Sequence, residues 1–152
     1  NTRGIKKERL VFAKRTSHDK YLAQFKYADL YLDTFIYNAG ATASNALWMG
    51  LPVLTMAGNS YSARMANSLL NSLGLEELIT HSKQDYEDLA LKLSTDKERL
   101  NNIKVKLKEN LSSKPLFNTN LYTENFENGL EEVFNNHITG NAPKNVYVKS
   151  KI

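Results

Sequence analysis

Short apolar runs alternate with amphipathic stretches through the first half of the chain. Leu10–Phe12, Leu30–Thr34 and Pro52–Met56 are short, apolar and β-prone. Continuous apolar runs of this length fit strands buried on both faces, as in a parallel sheet. Helix patterns lie between them. Over His18–Ala28, residues Tyr21, Leu22, Phe25 and Ala28 fall at three- and four-residue spacings, which places them on one helix face. Thr42–Trp48 reads as a short helix with Thr42 as its N-cap. Asn59–Leu73 reads as a helix ended by Gly74, and Glu77–Thr80 as one more short strand. The order β-α-β-α-β-α-β predicts a doubly wound α/β sheet.

The second half has a different pattern. Ser82, with Asp85 three residues on, is a good N-cap before "YEDLALKL". Thr95 is expected to cap a second charged helix, Asp96–Leu111, which Ser112–Pro115 breaks. Asn118 or Thr119 can start a last helix through Phe134. Gly140–Pro143 opens a polar, loose tail. The expected division is an α/β core over residues 1–81, helices of the same lobe over 82–138, and the tail over 139–152. The sequence shows no internal repeat or low-complexity segment.

Composition narrows the function classes. A net charge of +4, with Lys and Arg spread along 152 residues, describes a solvated surface with a mild preference for anions. It is not the footprint of a nucleic-acid binder. There are no cysteines, which excludes disulfides, thiolate chemistry and Cys-ligated zinc. It also suits a reducing compartment, so a cytoplasmic location is expected. No apolar run approaches the roughly 20 residues of a membrane helix. The chain begins "NTRGIKKERLVF", without Met, and reads as a fragment of something longer.

In open parallel sheets, ligands bind beyond the carboxyl ends of the strands. Three loops occupy that position: "AKRTSHDKY", "FIYNAGAT" and "AGNSYSAR". The helices that follow offer unpaired N–H groups and a positive dipole end, which suit a phosphate. Gly40, Ala41 and Thr42 can bring backbone amides close to a phosphate oxygen, with the Thr42 hydroxyl in support; the same residues also suit a tight turn that needs small side chains for packing. His18 and Tyr21, one helical turn apart, can stack on a flat base, or be a first-turn residue and a core aromatic. Asn45 can meet a sugar hydroxyl or be a polar face residue. Asp33 can be a carboxylate in the cleft or a cap for the following loop. Trp48 is expected in the core, and Arg64, His81 and His137 at the surface. No His, Asp or Glu cluster has metal-ligand spacing.

The run "ADLYLDTFIYNAGATASNALWMGLPVLTMAGNSYSARMANSLLNSLGLEELI" resembles the nucleotide-binding lobe of the O-GlcNAc transferase and SPINDLY family of glycosyltransferases. The later stretch "YEDLALKLSTD…LFNTNLYTENFENGLEEVF" is similar to that family's C-terminal helices, so the resemblance covers roughly residues 8–137. It implies the C-terminal half of a GT-B enzyme, in which two Rossmann-like lobes hold the donor in the cleft between them and tetratricopeptide repeats usually precede the lobes. It implies a sugar-nucleotide donor such as UDP-GlcNAc, Ser and Thr hydroxyls of proteins as acceptors, and no metal or other cofactor. Carried over by position, Thr16, His18 and Tyr21 match the loop and helix start that hold the uracil. Gly40, Ala41 and Thr42 match the family's His-Thr-Thr, whose helix N-terminus holds the diphosphate, and Asn45 matches an Asp that binds the ribose hydroxyls.

The chain departs from the family there. An imidazole and one hydroxyl are replaced by Gly40 and Ala41, while the backbone amides survive. Asn45 accepts a ribose hydroxyl less strongly than an Asp, by on the order of 1 kcal/mol. By the resemblance, the catalytic His lies in the other lobe and a Lys for the leaving diphosphate lies upstream, so these 152 residues alone are not expected to transfer sugar. A degenerate, non-catalytic lobe holding a nucleotide or a protein is the alternative, and a free-standing flavodoxin-like domain a third reading. In the GT-B arrangement the last helix crosses back toward the first lobe. Its apolar face is therefore expected to be exposed or to pair with another copy.

Overall fold

A computed structural model describes residues 4–149. Its center is a parallel sheet of β1 (Tyr31–Leu32), β2 (Val53–Met56) and β3 (Ile79–Thr80), in the order β1-β2-β3. Tyr31 and Leu32 lie opposite Val53 and Leu54, and Thr55 and Met56 opposite Ile79 and Thr80. The central strand is buried on both faces, with Val53, Leu54 and Thr55 fully covered, which is what its unbroken apolar run requires.

Six helices follow in chain order, α1 (His18–Gln24), α2 (Ala41–Trp48), α3 (Met65–Leu73), α4 (Lys83–Thr95), α5 (Lys97–Ser113) and α6 (Thr119–Ile138), of which α2, α3 and α4 pack on the central strand. The core gathers Ala43, Ala46 and Leu47 of α2, Ala66, Leu70 and Leu73 of α3, Leu93 of α4, and Ile103 and Leu107 of α5 around β2. Their three- and four-residue spacing is the helical pattern that turns one stripe inward. Gly74 ends α3 in the left-handed conformation (φ 65°, ψ 40°). Its N–H bonds the Asn71 carbonyl and the Leu75 N–H the Leu70 carbonyl, which closes the last turn. Ser82 caps α4 by accepting from the Asp85 N–H at 3.0 Å, and Asn118 caps α6 by accepting from the Leu121 N–H at 3.0 Å.

The structure corrects several expected bounds. Leu10–Phe12 is not a strand. It follows a 3₁₀ turn at Lys7–Arg9 and makes no ladder bond, and Val11 and Phe12 are 90% and 85% exposed. A three-residue apolar run gains nothing from extended backbone unless a neighbor pairs with it and a helix covers it. Leu30–Thr34 shrinks to two strand residues: the Asp33 N–H still bonds the Leu54 carbonyl at 3.0 Å, while the Asp33 carboxylate turns to the loop that follows. The helix after Ser17 ends at Gln24 and continues as a 3₁₀ turn, Phe25–Tyr27. Asn59–Leu73 is helical only from Met65, after a 3₁₀ turn at Ser62–Arg64. Asp96 caps α5, accepting from the Arg99 N–H at 2.9 Å, whereas Thr95 closes α4 by bonding back to the Leu91 carbonyl. Trp48 is not core: it is 57% exposed and meets Phe117 edge-on.

Candidate functional site

The loop from β1 to α2, residues 33–40, is built around one buried carboxylate. Asp33 is 4% exposed. Its Oδ1 accepts from the N–H groups of Thr34 and Ala39, both at 2.8 Å, and its Oδ2 accepts from the Thr55 hydroxyl at 2.7 Å. Thr80 on β3 donates its hydroxyl to the Thr55 carbonyl at 2.9 Å, and Tyr86 on α4 donates to the Asp33 carbonyl at 2.9 Å. Side chains from β2, β3 and α4 thus fix the loop from below. Of the two roles open to Asp33, loop cap is the one the structure shows. Burial, and then the Asp33 charge, push the Tyr86 hydroxyl up to about 12.

The rest of the loop is tied from its far side. Asn38 is buried; its backbone N–H bonds the Ser62 carbonyl and its Nδ2 the Thr34 carbonyl. Its Oδ1 is buried and has no hydrogen-bond partner among the described residues, a costly state for an amide oxygen. Thr34 donates its hydroxyl to the Tyr37 carbonyl at 2.6 Å. Between these ties Ile36 is held at φ 70° while 84% exposed. A β-branched side chain in the left-handed region is strained.

The loop delivers the chain into α2. Gly40 is the N-cap residue, and no side chain caps this end. The helical ladder begins with the Ser44 N–H on the Gly40 carbonyl at 3.0 Å. Thr42 is therefore in the first turn rather than the cap position, a correction to the sequence reading. Ala41 and Thr42 are exposed, whereas Ala43 behind them is buried. Such an end carries unpaired N–H donors and a partial positive charge. A Cβ at position 40 would stand 3.0 Å from the Met65 methyl group, so a larger residue there requires Met65 to move. Asn45, half-buried one turn further, makes no side-chain hydrogen bond among the described residues.

Thr16, His18 and Tyr21 share an open depression of about 610 Å³ with Ala13, Lys14, Arg15 and Gln24. The His18 and Tyr21 rings are 6.3 Å apart and tilted by 35°, and Phe25 supports Tyr21 edge-on at 5.2 Å. Gly40, Ala41, Thr42 and Asn45 are not among that depression's walls. The structure thus brings the candidates together as two separate groups. Arg64, His81 and His137 are exposed. Sequence reasoning missed Asn38, Thr55, Thr80 and Tyr86. Thr55 and Thr80 carry one available signal, a hydroxyl inside an apolar strand. Tyr86 reaches the loop from 53 positions away and carries none. Among the described residues no group of His, Asp or Glu is placed to hold a metal ion, and no helix is long and apolar enough to cross a membrane.

Known proteins bear on this geometry. The model of glycosyl transferase family 41 matches residues 1–126. The UDP-N-acetylglucosamine–peptide N-acetylglucosaminyltransferase of Caenorhabditis elegans is 31% identical over 138 residues, which is 91% of this chain and 12% of the relative. The probable UDP-N-acetylglucosamine–peptide N-acetylglucosaminyltransferase SPINDLY of Petunia hybrida is 30% identical over 127 residues, 84% of this chain and 14% of the relative. A solved mutant of the Thermobaculum terrenum O-GlcNAc transferase superposes with a TM-score of 0.71 at 36% identity, covering 74% of this chain and 22% of that one. The chain spans 12% and 14% of the length of these two curated relatives.

Proposed function

Because the chain belongs to glycosyl transferase family 41, we propose that it is the donor-binding lobe of a protein O-glycosyltransferase that uses UDP-GlcNAc or a related sugar nucleotide and acts on Ser and Thr hydroxyls. The observation that carries this reading is the N-terminus of α2. It has no side-chain cap, it is exposed at Ala41 and Thr42, and Asp33 holds it at the carboxyl end of β1. A diphosphate placed there meets backbone N–H donors and the Thr42 hydroxyl. The tilted rings of His18 and Tyr21, with Thr16 beside them, offer π-faces to the base. Asn45 is the acceptor for a ribose hydroxyl.

In the reaction, the bond from the sugar's anomeric carbon to the diphosphate oxygen breaks and one to the acceptor hydroxyl oxygen forms. The acceptor's proton goes to a base, and the leaving diphosphate takes the electron pair. This chain's share is to hold and stabilize the diphosphate. The base belongs to a first lobe with tetratricopeptide repeats before it, and a Lys for the diphosphate lies just before this lobe. The 152 residues incubated with UDP-GlcNAc and an acceptor peptide give no transfer under this reading, and measurable turnover overturns that division of labor.

A degenerate lobe that binds without catalysis is the second reading. It is favored by Gly40, Ala41 and Asn45, where the family pattern has His, Thr and Asp. Calorimetric titration with UDP, UDP-GlcNAc and GDP sugars tests nucleotide binding. Saturable binding of a UDP ligand, weakened by Tyr21→Ala and by Thr42→Val, supports the donor lobe; no heat at millimolar ligand overturns it in favor of the second reading.

A further inference from the structure

The depression beside α1 has polar and charged walls that stacking on His18 and Tyr21 does not use. Lys14 and Arg15 line it together with Thr16, His18, Tyr21 and Gln24. Both cations are exposed, and neither makes an ion pair or a side-chain hydrogen bond among the described residues. None of the lining residues is an Asp or Glu, and Asp19, in the first turn of α1, is not part of that wall. Gln24 is half-buried, and its amide has no hydrogen-bond partner among the described residues. His18, Tyr21 and Gln24 follow one another at three-residue steps, so each neighbors the next along one side of α1.

Stacking alone does not choose between pyrimidines, because every nucleobase has a π-face and uracil and cytosine share one ring size. They differ along one edge. Uracil presents its O4 oxygen as an acceptor next to the N3–H donor, whereas cytosine presents an N4 amine next to a bare N3. A Gln amide carries both a donor and an acceptor, and it pairs with either edge by turning over. Lys and Arg carry donors only. They satisfy O4 and have no acceptor for an amine. The cations therefore break the tie that the amide leaves open, and hydrogen bonds from charged donors are the stronger ones.

We propose that Gln24, with Lys14 and Arg15, reads the edge of the stacked nucleobase and selects a 4-keto pyrimidine over a 4-amino one. The Gln24 Nε2 and a cation donate to O4, and the Gln24 Oε1 accepts from N3–H. A cytosine in the same place sets its amine against donors that cannot accept from it. The inference rests on the donor-lobe reading and adds to it the side chains that choose the nucleobase. The rings of His18 and Tyr21 supply affinity, and Gln24, Lys14 and Arg15 supply the choice.

Calorimetric titration of the 152-residue chain with UDP and CDP tests it, since the two ligands share the ribose and the diphosphate. UDP is expected to bind at least about tenfold more tightly than CDP. The double variant Lys14→Gln with Arg15→Gln is expected to bring the two affinities together. Gln24→Glu places an acceptor-only group at the edge and is expected to reverse the preference toward CDP. None of these side chains belongs to the core, so the circular dichroism spectrum is expected to stay unchanged in both variants. Equal affinities for UDP and CDP in the parent overturn the inference and leave the donor-lobe reading standing. A ratio that survives both variants also overturns it. So does an equal loss for both ligands in the double variant, because Lys14 and Arg15 then act on the phosphates alone. Binding of neither ligand at millimolar concentration overturns the donor-lobe reading and this inference with it.

Discussion

Replacing Asp33 with Ala is predicted to loosen the loop that positions α2. The substitution removes the acceptor for three donors: the N–H groups of Thr34 and Ala39 and the Thr55 hydroxyl. Thr34 is exposed, so its N–H turns to water. Ala39 is half-buried and Thr55 is wholly buried, and those two donors lose their partner. Each buried donor left unpaired costs about 1–3 kcal/mol. The carboxylate's own burial is relieved at the same time, which leaves a net loss of about 3 kcal/mol. For a chain of this size, about 1 kcal/mol moves the melting temperature by about 2–4 °C, so a drop near 10 °C is expected. Asp33→Asn keeps the shape and one accepting oxygen for the two amides. It loses mainly the charge-assisted part of the bonds, about 1 kcal/mol. Urea unfolding of the three proteins gives the ranking, and hydrogen exchange at the Ala39 amide reports the loop directly. An Asp33→Ala protein within about 0.5 kcal/mol of the parent, the spread usual for substitutions that break nothing, with Ala39 equally protected, refutes the argument.

Three other perturbations probe the same region. Tyr86 titrates near 12 when folded and near 10 when unfolded. The unfolded chain therefore loses that proton first, and stability is full below about pH 10 and falls as pH rises toward 12; the difference between parent and Tyr86→Phe, on the order of 2 kcal/mol, isolates this from the lysines. Ile36→Gly is expected to raise stability by roughly 1 kcal/mol, because a strained φ is relieved at more expense than the glycine adds to unfolded-chain entropy; thermal melts measure it. Asn45→Asp restores an anionic acceptor and is expected to tighten UDP binding about fivefold, on the order of 1 kcal/mol, with an unchanged melting temperature; a weaker or unchanged affinity by calorimetry counts against the ribose role of Asn45.

The parts of the fold that follow from local pattern were readable in the chain. The apolar run before Met56 could only be satisfied by cover on both faces, and Gly74 had to end a helix where a left-handed residue was needed. Readings that depended on distant partners were not. Leu10–Phe12 has strand composition, but among the described residues no strand pairs with it, and Val11 and Phe12 are 90% and 85% exposed. Thr42 has the chemistry of an N-cap, yet the ladder starts on the Gly40 carbonyl. The loop's position beyond β1 was legible from strand order. What holds it there is the Asp33, Thr55, Thr80 and Tyr86 network, and that network is assembled from residues that carry no mark of one another along the sequence.

The central claim is that the backbone at the start of α2 binds the diphosphate of a sugar nucleotide. Amide NMR shifts during titration with UDP and, separately, uridine measure it most directly. The account predicts saturable shifts at Ala41, Thr42 and Ala43 with UDP. Uridine, which lacks the phosphates, should leave those three amides still while moving resonances at His18 and Tyr21. Unchanged α2 amides at saturating UDP, or equal shifts with uridine, contradict it.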